Sequence, residues 1–247
     1  MRARIGTAGW SIARKDADAF PPYGTALERY SRVFDAVEVN SSFHRPHRPS
    51  TWAKWAESVP EHFRFAVKIP KTITHQAKLV DVDAAIGQFA EEVRHLGSKI
   101  AVLLVQLPPK LAFDGEVVPR FFETLRSKID TEVVCEPRHA SWFDNDAGEV
   151  LRALRVARVA ADPALNVAAG SPGGWLGVQY WRLHGSPAMY RSPYGEEAIA
   201  RYAAQIHEAS TKGVSPWCVF DNTAASEATG NALSLIAAIR GKSANAR

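Results

Sequence analysis

The chain has 247 residues, 46% of them hydrophobic and 23% charged, with a formal net charge of +4. This is the composition of a folded globular protein and excludes the disordered, collagen-like and disulfide-scaffold classes. The mild positive charge fits either an anionic partner or a solvated surface with some arginine excess.

Cys135 and Cys218 each lie inside an apolar run and read as buried, reduced thiols. No run approaches the roughly 18 apolar residues of a membrane helix, and Met1–Trp10 lacks the apolar stretch of a signal peptide. The expectation is a cytoplasmic protein with no membrane partner.

In chain order, strand-like runs fall at 3–10, 36–43, 63–70, 100–108, 132–138, 157–162, 179–185 and 216–222. They are apolar at nearly every position, as strands covered on both faces are. Between them the spacing predicts helices over 26–34, 51–59 with Ser50 as N-cap, 83–96 closed by Gly97, 116–129, 146–155, 195–210 and 227–240. The segment 163–175 is short enough to hold only a turn or a brief helix. Ser171-Pro172-Gly173-Gly174 reads as a plain turn there rather than a phosphate loop. Eight alternations of strand and helix predict an α/β fold, a (β/α)8 TIM barrel over residues 1–240 with a polar tail at 241–247. A doubly wound open sheet is the alternative.

Most of the apolar runs end in charged or amide residues, and a purely structural strand has no use for them, because buried charge costs several kcal/mol unless paired. Side chains two apart share a strand face. Glu38 therefore pairs with Asn40, Glu136 with Arg138, and Arg182 with His184. Lys68, Gln106, Asp162 and either Asp221 or Asn222 occupy equivalent strand ends. In a barrel these ends form the C-terminal mouth, where catalytic residues sit.

By side-chain chemistry, Glu136 is the candidate general acid/base, with a raised pKa unless Arg138 or Lys68 lowers it. Lys68 is an imine-forming nucleophile or a fixed cation. His184 shuttles protons, Glu38 completes the catalytic set, and Arg138 and Arg182 clamp a carboxylate or phosphate. Asn40 and Asn222 orient a substrate oxygen, with Gln106 and His75 beside them. Trp10, Phe43 and Trp142 line the pocket. Balanced signs in the set also fit an internal ion-pair lattice with no chemistry of its own.

No cofactor is predicted. Glu38, Glu136, Asp162 and His184 are of the right type for a divalent metal, but Lys68, Arg138 and Arg182 would repel one. His44 and His47, three apart in a proline-broken loop, read as a basic rim. Trp10, Phe43, Trp142, Tyr190 and Tyr194 interleave with Arg45, Arg48, Lys71, Arg138 and Arg191, which is a pocket rim or a nucleic-acid face. The expected function is thus a metal-independent lyase, isomerase or hydrolase acting on a small anionic molecule. A nucleic-acid-binding protein is the alternative, and a metabolite binder without turnover the third reading.

Seven ordered motifs carry a resemblance. They are Gly6-Thr7-Ala8-Gly9-Trp10, Val37 to Phe43, Phe65-Ala66-Val67-Lys68 with Thr74-His75, and Gln106-Leu107-Pro108-Pro109. Glu136 to Trp142, Arg182-Leu183-His184-Gly185, and Phe220-Asp221-Asn222-Thr223 leading to Asn231-Ala232 complete the set. The chain resembles the domain of unknown function 72 family from residue 3 to about 240. The resemblance implies a TIM barrel and no assigned activity. One departure is Ser226, where the family often carries glycine.

Overall fold

The structure, a computed structural model, describes residues 2–245, with side chains through Gly241. Parallel strands alternate with helices: β1 (Arg4–Thr7), β2 (Ala36–Val39), β3 (Arg64–Lys68), β4 (Ile100–Gln106), β5 (Glu132–Glu136), β6 (Val156–Arg158) and β7 (Ala160–Asp162). A two-residue strand β8 (Gly173–Gly174), then β9 (Val178–Leu183) and β10 (Ser215–Phe220) follow. Hydrogen-bonded ladders give two sheets, ordered β1-β10-β9-β7 and β2-β3-β4-β5-β6-β8.

The two sheets meet at two seams and complete the barrel. At the first, Ala8 bridges Glu38 and the Gly9 N–H donates to the Glu38 carbonyl at 2.8 Å. At the second, the expected sixth strand is split. Its first half, β6, pairs with β5, and its second half, β7, pairs with β9, with Val159 alone between them. The short strand β8 runs antiparallel to β6, so the Gly173-Gly174 turn is tied to the sheet.

Helices α1 (Ala26–Ser31), α3 (Pro49–Glu57), α4 (Asp83–Val93), α5 (Val117–Lys128), α6 (Asn145–Ala153), α7 (Glu196–Thr211) and α8 (Ala228–Asn245) connect or follow the strands, with a four-residue α2 (Ser41–His44) after β2. Local chemistry explains the ends. Thr25 and Glu28 form a capping box that starts α1: Glu28 N–H donates to Thr25 Oγ1, and Thr25 N–H to Glu28 Oε2. Ser50 is not the cap expected of it. Pro49 occupies the first turn of α3, where its missing N–H costs nothing, and Arg48 precedes it. α8 runs to Asn245, through most of the stretch expected as a tail, and residues 246–247 lie outside the described residues.

Strand alternation sorts the core into two shells. Val37, Val39, Phe65, Leu103, Val105, Val133, Cys135 and Cys218 face the helices in one apolar cluster. Ala36, Ala66, Val134, Ala157, Tyr180 and Trp217 pack together inside the barrel. Three alanines leave room there for two large rings, Tyr180 and Trp217, which stack at 5.8 Å with planes 13° apart.

Candidate active site at the barrel mouth

Above that apolar plug the lumen turns ionic. Arg182, on β9, is 1% exposed and binds three carboxylates at once. Its Nε donates to Glu38 Oε2 at 3.0 Å, and its Nη2 to Glu38 Oε1 at 2.6 Å and Asp221 Oδ2 at 3.0 Å. Nη1 donates to Glu136 Oε2 at 2.5 Å. Four of the five guanidinium N–H groups are thereby used. Arg182 therefore does not clamp a ligand, as its position in the sequence suggests; it is the hub of an internal ion lattice. Tyr180, two residues earlier on the same face, donates its hydroxyl to Glu38 Oε2 at 2.9 Å.

Glu136 is equally committed. Besides Arg182 it accepts from Arg138 Nε at 2.9 Å and Nη2 at 2.5 Å, and His184 Nε2 stands 3.2 Å away. Burial opposes its ionisation, but the Arg182 guanidinium, His184 and Arg138 outweigh burial and hold its carboxyl well below the usual range. Of the two alternatives the sequence leaves open for its pKa, the lowering by Arg138 applies, joined by Arg182 and His184, and Glu136 is held as an anion. Asp221 is likewise lowered, because Arg182 and His184 overcome its burial.

His184 links the two carboxylates, with Nδ1 3.0 Å from Asp221 Oδ2 and Nε2 facing Glu136. Burial disfavours its charge, yet Glu136 and the Asp221 hydrogen bond raise its pKa above the ordinary value. As imidazolium it donates to both anions. As neutral imidazole protonated on Nδ1 it accepts instead from Arg138 Nη2, 3.2 Å away.

Lys68 differs from its neighbours. Among the described residues it makes no ion pair within 4.0 Å, and its Nζ lies 4.1 Å from the centre of the Phe43 ring. Burial lowers its pKa to about 8, reinforced by the Arg182 charge and opposed by Glu38, Glu136 and Asp221. His75, on a single π turn (Thr72–Gln76), packs edge-on against the same Phe43 ring, and its Nδ1 bonds the Thr74 hydroxyl at 2.8 Å. Burial, then the charges of Lys68 and Arg138, lower its pKa. Asn40 Oδ1 is buried with no hydrogen-bond partner among the described residues, and Gln106 closes β4 with Nε2 on the Leu107 carbonyl at 2.9 Å.

Four expected members fall elsewhere. Trp142 is fully buried, donates Nε1 to the Leu111 carbonyl at 2.9 Å and packs on Phe113, so it belongs to the core. Trp10 packs on Trp55 at the outer edge, in a groove shared with Lys54 and Thr25. Asn222 is buried and spends Nδ2 on the Ser192 carbonyl and Asn231 Oδ1, latching the loop after β9. Asp162 shares parity with Ala160, which faces the helices; Val159 faces the lumen, and Asp221 supplies the third carboxylate there. Tyr194, expected at the rim, is 6% exposed with its hydroxyl on the Asp162 carbonyl, which leaves Trp10, Phe43 and Tyr190 as the accessible aromatics of the set. Tyr180 joins the site without having been expected there, although its parity with Arg182 and His184 marks it.

No group of three or more His, Cys, Asp or Glu side chains suited to a metal occurs among the described residues, and His44 and His47 belong to no such group. Among the same residues no helix is long and apolar enough to cross a membrane.

A family model described as "Protein of unknown function DUF72" matches residues 4–246. The chain belongs to the DUF72 family. It is 32% identical over 122 residues to the UPF0759 protein YecE of Escherichia coli (strain K12), covering 48% of this chain and 43% of that one. To the UPF0759 protein YunF of Bacillus subtilis (strain 168) it is 30% identical over 149 residues, 56% and 51% of the two chains. The matches thus span about half the length of these curated relatives.

Among solved structures, a DUF72 family protein from Enterococcus faecalis V583 superposes with a TM-score of 0.82 at 19% identity, covering 97% of this chain and 96% of that one. One from Thermotoga maritima MSB8 gives 0.78 at 21%, covering 97% and 100%. A fusion protein described as xylose isomerase-like TIM barrel/4-hydroxyphenylpyruvate dioxygenase gives 0.53 at 14%, over 99% of this chain and 44% of its own. These likenesses agree with the barrel and concern the fold alone.

Proposed function

We propose that this DUF72 protein is a cytoplasmic enzyme that acts on a small anionic substrate at the C-terminal mouth of its barrel. The observation that carries the reading is Lys68, the lumen cation without a carboxylate partner among the described residues. Every other charge in the cluster is neutralised by a neighbour. Glu38, Glu136 and Asp221 balance Arg182, Arg138 and Lys68, and a protonated His184 tips the sum to positive. An incoming carboxylate or phosphate would neutralise that excess.

In this reading Arg138, whose Nη1 makes no hydrogen bond among the described residues and whose side chain is 21% exposed, meets the anion. Lys68 supplies the acid/base or nucleophilic nitrogen, since a pKa near 8 lets it work in both protonation states close to neutral pH. Asn40 and Gln106 orient the substrate. The carboxylates serve by fixing the arginines, so a metal would have to displace guanidinium groups to bind them, and the reading involves no resident metal. Lyase, isomerase and hydrolase chemistry all fit such a nitrogen beside an anion site.

The test is a thermal-shift and calorimetric survey of small carboxylates and phosphate esters. The expected result is stabilisation by a subset of them at millimolar concentration, weakened about tenfold or more in Arg138→Ala and by added salt. Absence of binding by every anion at low salt would overturn the proposal.

A further inference from the structure

Of the ionisable side chains in the lumen cluster, three are carboxylates held by guanidinium, two are arginines, which do not lose their protons, and His184 is held between Asp221 and Glu136. That leaves one primary amine. Its lumen position at the end of β3, the Phe43 ring 4.1 Å from it and the lack of an ion pair within 4.0 Å among the described residues set this amine apart. On deprotonation its nitrogen lone pair is committed to no charged partner among them. We propose that Lys68 forms an imine with its substrate, which is therefore a small carbonyl compound that also bears a carboxylate or phosphate. This rests on the anion-site reading above and narrows it to a substrate class.

The step balances without an oxidant or metal. The neutral Nζ attacks the carbonyl carbon, forming the C–N bond while the C=O π pair moves to oxygen, which takes a proton. The nitrogen then gives up one of its two protons, and a second proton passed to the hydroxyl lets it leave as water. The freed nitrogen pair forms C=N, so that the nitrogen keeps one proton and the positive charge. The resulting iminium is an electron sink for cleavage or proton loss at the adjacent carbon.

The neighbours suit each part. His75 shares the Phe43 ring, feels the Lys68 charge and has no hydrogen bond on Nε2 among the described residues, so it can pass the protons that carbinolamine collapse needs. Arg138 is the cation for the anionic end. Arg182, Glu38, Glu136 and Asp221 are the fixed charges that face the amine, and their opposed signs leave burial as the largest influence on it. With a pKa near 8, about a tenth of Lys68 is neutral at pH 7, far more than of an ordinary lysine.

Reductive trapping tests this on the full chain. Wild type, Lys68→Arg and Lys68→Met would be incubated with glyoxylate or pyruvate and sodium cyanoborohydride at pH 7, then mapped by peptide mass spectrometry. The expected result is a carboxymethyl or carboxyethyl group on Lys68, formed at least about tenfold faster than on the exposed Lys78 and Lys110. In Lys68→Arg, which keeps the cation and serves as the folded control, no group forms at that site. Oxalate and phosphate, which bind as anions but form no imine, are titrated in parallel by thermal shift. Anion binding with Lys68 labelled no faster than surface lysines overturns the imine and leaves the anion site standing; neither binding nor selective labelling overturns both.

Discussion

Arg182 and Glu38 form a two-point pair inside the barrel, Nε to Oε2 at 3.0 Å and Nη2 to Oε1 at 2.6 Å, with neither side chain more than 1% exposed. The pair spans the lumen between β9 and β2, and the same guanidinium reaches Glu136 on β5 and Asp221 after β10. One side chain therefore ties four of the barrel's strand ends together. A buried charge lattice gains little over apolar packing when whole, but it is costly to break.

Replacing Arg182 with Met removes the hub and leaves Glu38, Glu136 and Asp221 as close, buried anions. The expected loss is ~3–5 kcal/mol of unfolding free energy, measured by urea titration at pH 7. A loss under ~1 kcal/mol would mean that the lattice relaxes by admitting water.

The lattice also sets a pH profile. Glu136 and Asp221 are lowered from ordinary values of 4.5 and 3.8, so their contribution is present above those values and is lost as pH falls through the folded pKa. His184 is raised from 6.5, so its contribution is present below 6.5 and is lost as pH rises through its folded pKa. Stability from this cluster should therefore be greatest between about pH 4.5 and 6.5. Chemical unfolding across pH 3–9 checks this, and His184→Gln should flatten the alkaline side.

Lys68 acts with the opposite sign. Its pKa falls from 10.5 to about 8, so the unfolded chain binds the extra proton and stability rises with pH between those values. Lys68→Met should abolish that rise while raising stability at neutral pH, because the penalty of a buried ammonium disappears. An unchanged pH profile in the variant would show that the amine is well solvated.

Gly6 lies on β1 where it faces β2, and a Cβ there would run into the Ala36 carbonyl. Gly6→Ala should force the closing strands apart and destabilise by ~3 kcal/mol or more, read by thermal and urea unfolding. The first family motif thereby acquires a physical meaning, since close strand approach at the seam excludes any side chain.

Asn231 accepts from the Tyr194 N–H, donates to the Tyr194 carbonyl and accepts from Asn222 Nδ2. Asn231→Ala should lose ~2–3 kcal/mol through the unpaired groups it leaves behind. Faster proteolytic cleavage within 186–193 should accompany the loss, since this latch holds the loop that carries Tyr190 against His184.

The eight alternations of strand and helix, their order along the chain and the inward direction of Glu38, Lys68, Glu136, Arg182 and His184 are legible in the sequence, whereas the split of the sixth strand and the short strand at Gly173–Gly174 are not. Strand alternation determines which side chains share a face, and charge inside a barrel must be paired or put to use, because burying it alone is too costly. Parity marks Tyr180 as inward too. It also turns Asp162 outward, against the expectation, because alternation runs unbroken through Val159: Val156 and Ala160 face the helices while Ala157 and Val159 face the lumen. Only the tertiary structure decides which charges neutralise one another. Pairings such as Arg182 with Glu38 join residues 144 apart in sequence, and their distances depend on barrel closure rather than on any local pattern. The same closure buries Trp142, turns Asn222 into a latch, makes Glu136 a held anion and leaves Lys68 as the one amine facing the mouth without a partner among the described residues.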